Sequence, residues 1–346
     1  MIFVSIMLLM SVNIHSSAKE KSGSGILLSG YLFHTGKNEV ALISLTDANL
    51  AIRSISLKGK DAAAFRIVDK NQLIILNKYN RSDKKWYDIT IVAETSSGRF
   101  TENFRIVNDQ FIRNQVIAHR GAWKNTGATE NSIASLKRAI ELGCMGSEFD
   151  VHMSSDSVLY IHHDPFIDKD TIEKTPSHKL SAVRLSNGET LPTLEAYLKE
   201  GMKQNKTRLI LEIKPSIISK ERAIALTHKV LDMVKKLRAQ AWVDYISFDY
   251  EVCKEVMRID PYAKVAYLNG DKTPDELASE KFYGLDYNQN VYKKNESWIK
   301  EAQQKNLTVN VWTVNDEADM DWFLQRNVDF ITTNEPELLL KKVKKD

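Results

Sequence analysis

From about Gln110 to the C-terminus, strand-like and helix-like runs alternate, and that rhythm limits the possible folds more than any other feature of the chain. The strand-like runs are "QVIAHR", "GSEFDVHM", "VLYIHHD", "RLILEIK", "DYISFD", "KVAYLN", "YGLDYN", "TVNVWTV" and "VDFITTN". Between them come amphipathic stretches such as "NSIASLKRAIELG" and "ERAIALTHKVLDMVKKLRAQ". Repeated βα units imply a parallel sheet whose faces are covered by helices. Residues 113–346 suit a compact (β/α)8 TIM-type barrel, for which about 250 residues is typical. An open doubly wound sheet is the alternative. It fits less well, because no Gly-rich dinucleotide fingerprint follows the first strand.

Residues 25–110 have a different period. The runs "ILLSGYLF", "EVALISL", "AIRSISL", "QLIIL", "WYDITIVAE" and "RFTENFRIV" are short, alternating and separated by turn residues. That pattern predicts a small all-β sandwich of immunoglobulin-like size. About half of the region resembles the last strands of a cadherin-like repeat. "NKYN" and "AET" stand where such repeats carry acidic calcium ligands, so calcium is not expected there. The partner of this β-domain is unknown.

The balance of 48 Lys and Arg against 45 Asp and Glu gives a net charge of +3, too even for a dedicated nucleic-acid binder. The C-terminal lysines read as a solvated helix end. Residues 1–18, apolar from Ile2 to Val12 and then "SSA" before Lys19, read as a secretory signal peptide cleaved near Ala18. That implies a secreted or periplasmic protein. The apolar run is too short to span a bilayer, so no stable membrane insertion is expected. A buried N-terminal helix or strand is the competing reading. The two cysteines, Cys144 and Cys253, cannot frame a chain of this size and read as buried free thiols.

Catalytic groups of a (β/α)8 barrel gather at the C-terminal ends of its strands. His119 and Arg120 end the first strand-like run, and His163 ends "VLYIHHD". Glu148 and Asp150 are two apart, as are Glu212 and Lys214, so each pair faces one side of its strand. Three converging carboxylates would repel one another unless a hard divalent cation, Mg²⁺ or Ca²⁺, lay among them. The alternative is solvated ion pairing, but each acid sits within an apolar strand. Arg120 and Lys214 would then make the site cationic enough for a phosphodiester, and two histidines suit proton transfer.

The segments "HRGAWKNTGATENS", "GSEFDVHMSSDSVLYIHHDP", "LILEIK", "ISF", "VNVWTVN" and "NVDFITTNEP" together resemble the glycerophosphodiester phosphodiesterase family, in family order from about Gln115 onward. The resemblance implies a metal-dependent hydrolase that cleaves glycerophosphodiesters to glycerol 3-phosphate and an alcohol. It makes His119 and His163 the acid/base pair, with Glu148, Asp150 and Glu212 on the metal. Arg120 and Lys214 match phosphate-contacting positions, and Glu130 matches the acid of the family's Glu-Asn motif. His162 takes a position that is usually apolar.

Two departures from the family pattern, Lys169-Asp170-Thr171 and Asn334 in place of an Asp, are expected to leave the acid, base and metal ligands untouched. Residues 165–191 read as an insertion beside the site, either a lid or a surface excursion. Among Trp123, Phe166, Tyr250 and Trp312, Trp312 is the best candidate to contact the alcohol headgroup, with core packing the competing role for each. A barrel phospholipase acting on intact lipid, and a catalytically silent binding protein, are the alternative functions. The first needs an apolar membrane-facing rim, and no obvious hydrophobic loop in the sequence supplies one.

Overall fold

The computed structural model describes residues 25–343. The expected leader, residues 1–18, and the terminal Lys344 and Lys345 lie outside the described residues.

Residues 26–108 form two four-stranded sheets. One has the order Ile26–Leu28, Glu39–Leu45, Gln72–Ile75, Phe65–Val68. The other has the order Leu32–Phe33, Gly98–Asn108, Trp86–Thr95, Ile52–Lys58. Alternate residues of a strand face one way, so Ala41, Ile43 and Leu45 of one sheet share a core with Ile89, Ile91, Phe104 and Ile106 of the other. The run "ILLSGYLF" is divided rather than continuous. Ser29-Gly30-Tyr31 carries the chain between sheets, and Leu32–Phe33 pairs in parallel with Val107 and Asn108. "NKYN" forms one helical turn, Asn77–Asn80.

The second body is a closed barrel of eight parallel strands. They are β1 (Val116–Ala118), β2 (Gly146–Met153), β3 (Arg208–Ile213), β4 (Val243–Ser247), β5 (Val265–Tyr267), β6 (Gly284–Asn288), β7 (Thr308–Trp312) and β8 (Phe330–Thr333). Each pairs with the next, and β8 returns to β1. Strand parity sorts the side chains. Val116, Phe149, Leu211, Leu285 and Val311 face the helices in the large outer core. Ile117, Ile210, Ile246, Ala266 and Leu268 fill the inside with Phe248, Trp312 and Phe330.

"VLYIHHD" is not a barrel strand, contrary to its place in the βα series. Leu159–Ile161 runs antiparallel to β2 on an outward extension of that strand. His163 therefore reaches the mouth from a loop. The insertion is neither unstructured nor free: Ile172, Leu180 and Leu191 pack on Tyr160 in a satellite core.

The sandwich packs beneath the barrel, at the N-terminal ends of β3 and β4. Trp86 meets Trp242 edge-on with ring centroids 6.0 Å apart. Asn205 donates to the Asn108 carbonyl at 2.9 Å, and Arg238 pairs with Asp88 at 3.1 Å. The β-domain thus lies on the face opposite the loops that carry the site.

Cys144 and Cys253 are free and buried. Burial pushes the Cys144 thiol up to about 12 and that of Cys253 higher still. A thiol reagent should therefore leave the native protein unlabelled and modify both cysteines once it is unfolded, read by mass spectrometry.

Candidate active site

β1 ends at Ala118, but His119 N–H still donates to the Thr333 carbonyl at 2.9 Å, which locks the next residue at the barrel mouth. Arg120 then adopts a left-handed conformation, φ 56°, turning its N–H onto Glu148 Oε2 at 2.8 Å. Gly121 follows at φ 78°, and a Cβ there would lie 2.4 Å from Ser135 Oγ and 2.7 Å from the Ser135 carbonyl carbon. Only glycine meets both conditions. The order His-Arg-Gly thus places an imidazole, aims a backbone donor at an acid, and lets the chain pass the helix Ile133–Leu142.

The Glu-Asn pair closes this loop. Asn131 N–H donates to the Arg120 carbonyl at 2.9 Å, and its side-chain amide donates to Asp150 Oδ2 at 2.8 Å. Glu130 receives Arg120 Nη1 on both oxygens at 3.0 Å. The guanidinium is thereby fixed, with Nε buried and unpartnered 4.0 Å from Asp150.

β2 and β3 lie side by side with Asp150 opposite Glu212, which brings Glu148, Asp150 and Glu212 together inside the barrel. All three are buried, and one ligand atom from each lies within 4.8 Å of the others. That spacing and an all-oxygen donor set fit a hard divalent cation. Lys214 Nζ stands 3.2 Å from Asp150 Oδ1 and 2.8 Å from Glu212 Oε1. These are close ion pairs, in which one ammonium faces an oxygen of each acid. Lys214 therefore bridges two of the three acids.

The carboxyls are driven apart in acidity. Burial, then the charges of Asp150 and Glu212, raise Glu148 well above its ordinary range. Burial and Asp150 raise Glu212 to about 8. Burial also acts upward on Asp150, but Lys214, His163, the Asn131 hydrogen bond and Arg120 outweigh it and hold the group at about 2. A carboxyl whose folded value is raised gives stability that is full below its unfolded value and lost as pH rises through the folded one. His119 and His152, held near 4 by burial, act oppositely, and only below their ordinary 6.5. Between pH 6.5 and about 8 the carboxyls decide. The melting temperature of metal-free protein should fall across that window, and saturating Mg²⁺ or Ca²⁺ should reverse the fall. A flat or rising curve without metal would contradict the arrangement.

His119 donates from Nδ1 to Asn334 Oδ1 at 2.8 Å, which leaves Nε2 with its lone pair, 4.0 Å from Glu148 Oε2. Asn334 is therefore in direct contact with a candidate catalytic histidine, and the expectation that this departure lies clear of such groups is corrected. An aspartate at this position would have added a charge; asparagine sets the tautomer and adds none. His163 Nδ1 contacts Asp164 Oδ1 at 2.7 Å, and its carbonyl accepts from buried His152 Nε2 at 3.1 Å. His162 instead bonds the Phe166 carbonyl at 3.2 Å.

His119, Arg120, Glu148, His163, Glu212 and Trp312 line one cavity of about 100 Å³ at the barrel mouth. Asp150 and Lys214 back its acidic wall, and Glu130 reaches it through Arg120. Of the four candidate aromatics only Trp312 lines the cavity. Tyr250 stacks on Phe282, and Phe166 is exposed in the insertion. Asn131, His152, Asn334 and Asp286 belong to the site or its walls and were not among the expected site residues.

Fold and site together define a barrel enzyme of the phosphoric diester hydrolase type. Residues 119–338 match the model of the glycerophosphoryl diester phosphodiesterase family. The chain belongs to that family. It is 28% identical over 252 residues to a glycerophosphodiester phosphodiesterase of Caldanaerobacter subterraneus subsp. tengcongensis, covering 68% of this chain and 99% of that protein. A crystal structure of a glycerophosphodiester phosphodiesterase from Parabacteroides distasonis is similar at 43% identity and a TM-score of 0.66, over 68% of this chain and 98% of that one. A phosphodiesterase from Oleispira antarctica, 24% identical with a TM-score of 0.57, shares the fold over 67% of this chain and 97% of its own.

Proposed function

We propose that the protein hydrolyses glycerophosphodiesters to glycerol 3-phosphate and an alcohol, with a divalent cation held by Glu148, Asp150 and Glu212. The observation that carries this reading is the buried triad facing His119, Arg120 and His163 in one cavity. The relatives named above support the substrate class. When bound, the cation would offset the negative charge gathered around the phosphate during displacement.

The chain's own residues do the rest. Arg120, fixed by Glu130, presents its guanidinium to a phosphate oxygen. His119, neutral at pH 7 with Nε2 free, takes the proton of the attacking hydroxyl. Asp164 orients His163 so that Nε2 can give a proton to the leaving oxygen. The attacking group is water or the substrate's own glycerol 2-hydroxyl. Following glycerophosphocholine hydrolysis by ³¹P NMR tests the scheme. Glycerol 3-phosphate is the expected product, a cyclic phosphate on the way would identify the internal hydroxyl as nucleophile, and phosphocholine would contradict the assignment.

A second reading has one observation in its favour. Phe166, in a short hairpin of the insertion, and Ile217 and Ile218, in the loop after β3, are about half exposed. Such a rim suits contact with a lipid surface. Faster turnover of micellar phospholipid than of soluble deacylated diester would support it. Among the described residues no helix is long and apolar enough to cross a membrane. Export to the periplasm or exterior, argued from residues 1–18, forms part of this proposal and is checked by N-terminal sequencing of the mature protein.

A further inference from the structure

Asp286 is a buried acid that the proposed mechanism does not use. On β6 its neighbours Leu285 and Tyr287 face the helices, so strand parity points Asp286 into the barrel. The residue is 2% exposed, and its Oδ1 has no hydrogen-bond partner. Burial raises the carboxyl to about 7 against the opposing Asn310 amide. A desolvated carboxyl without a cation costs stability, so its presence calls for a ligand or a function.

Its position says which ligand. Asp286 lines the same cavity as His119, His163 and Glu212, and also a space of about 30 Å³ beneath it, so it stands in the floor between the two. Ile246, Leu268, Phe248 and Trp312 make the surrounding wall apolar. Trp312 Nε1 donates to the Asp286 carbonyl at 2.8 Å, fixing the indole at that edge. Asp286 begins a polar row across β6, β7 and β8, in which Asn310 and Thr332 bond each other at 3.1 Å. Asp286 Oδ1 is the acceptor left open in that row. The cavity, about 100 Å³, is well below the roughly 300–1,000 Å³ of pockets for drug-sized ligands and takes one half of a diester.

We propose that Asp286 is a specificity-determining residue that accepts a hydrogen bond from a free hydroxyl of the substrate's glycerol half, seated on the cavity floor. This rests on the phosphodiesterase reading above. A hydroxyl suits the floor because Asp286 Oδ1 is an open acceptor there and the Thr332 hydroxyl lines the same cavity. A site built to bind a hydroxyl rejects an analogue without one, since the buried acceptor is then left unpaired.

The test compares glycerol 3-phosphate with ethyl phosphate, which keeps the phosphate and lacks the hydroxyls. Both are titrated by NMR into the full chain loaded with Mg²⁺. Wild type should prefer glycerol 3-phosphate by about ten-fold or more, and Asp286→Ala should reduce the preference to about two-fold or less. Asp286→Asn, which removes the charge and keeps the shape, should melt no lower than wild type. A preference retained in Asp286→Ala, or absent from wild type, overturns the assignment. So does a lower melting temperature for Asp286→Asn, which would make the acid structural. Phosphocholine titrated in the same way is the third arm: a preference for it that Asp286→Ala abolishes would move the acid to the other half of the substrate and overturn the hydroxyl. Wild type that releases no glycerol 3-phosphate from glycerophosphocholine would overturn the functional reading together with this one. Active wild type with an Asp286→Ala variant that stays selective overturns only this one.

Discussion

His119→Ala should lower kcat on glycerophosphocholine by about 10²–10⁴-fold, the range for loss of a positioned general base, with KM changed far less. The size follows from how much of the structure serves this one side chain. The β1–β8 ladder fixes its backbone through Thr333, Asn334 holds Nδ1, and burial with the Arg120 charge keeps the ring neutral near pH 7. Replacing the ring removes the proton acceptor and leaves Arg120 and the acidic triad in place, so substrate binding survives better than turnover. The same assay on Asn334→Ala should show a smaller fall in kcat, because the ring remains and loses only its orienting partner. Activity within about ten-fold of wild type in His119→Ala would remove this histidine from the chemistry.

The second large effect falls on stability. Gly121→Ala should destabilise the barrel by about 3–5 kcal/mol, combining a left-handed backbone with a side chain forced into the helix beside it. The Cβ would stand 2.4 Å from Ser135 Oγ and 2.7 Å from the Ser135 backbone, which cannot swing aside as a long side chain would. Gly127 is the matched control. It has φ 72° but nothing within 4 Å of its would-be Cβ, so Gly127→Ala should cost only about 1–2 kcal/mol. Chemical denaturation of the two variants separates conformation from collision. Equal costs would mean that the loop relaxes at Gly121.

The βα rhythm made the barrel legible because inward and outward parity is written into each strand. Glu148, Asp150 and Glu212 stood out as acids within apolar strands, and they converge. The same rule applied to "YGLDYN" exposes Asp286 with Asn288 two residues on, but no cation or histidine accompanies them and none of the quoted family segments covers that strand. Leu159–Ile161 misled for a physical reason: a short apolar run does not declare whether it pairs parallel or antiparallel, and this one turns back on β2. The contact of Asn334 with His119 joins residues 215 apart through closure of the ring, which periodicity does not encode. His152 supports the His163 loop through a hydrogen bond to a backbone carbonyl, a contact that strand periodicity does not encode.

The central claim is that the Glu148–Asp150–Glu212 triad holds the cation on which glycerophosphodiester cleavage depends. Its most direct measurement is glycerol 3-phosphate release from glycerophosphocholine after EDTA treatment and dialysis, before and after return of Mg²⁺ or Ca²⁺, in wild type and Glu148→Gln. The expected result is release that disappears with EDTA, returns with metal in wild type and does not return in the variant. Undiminished release from the metal-free protein, or full restoration in Glu148→Gln, would contradict the account.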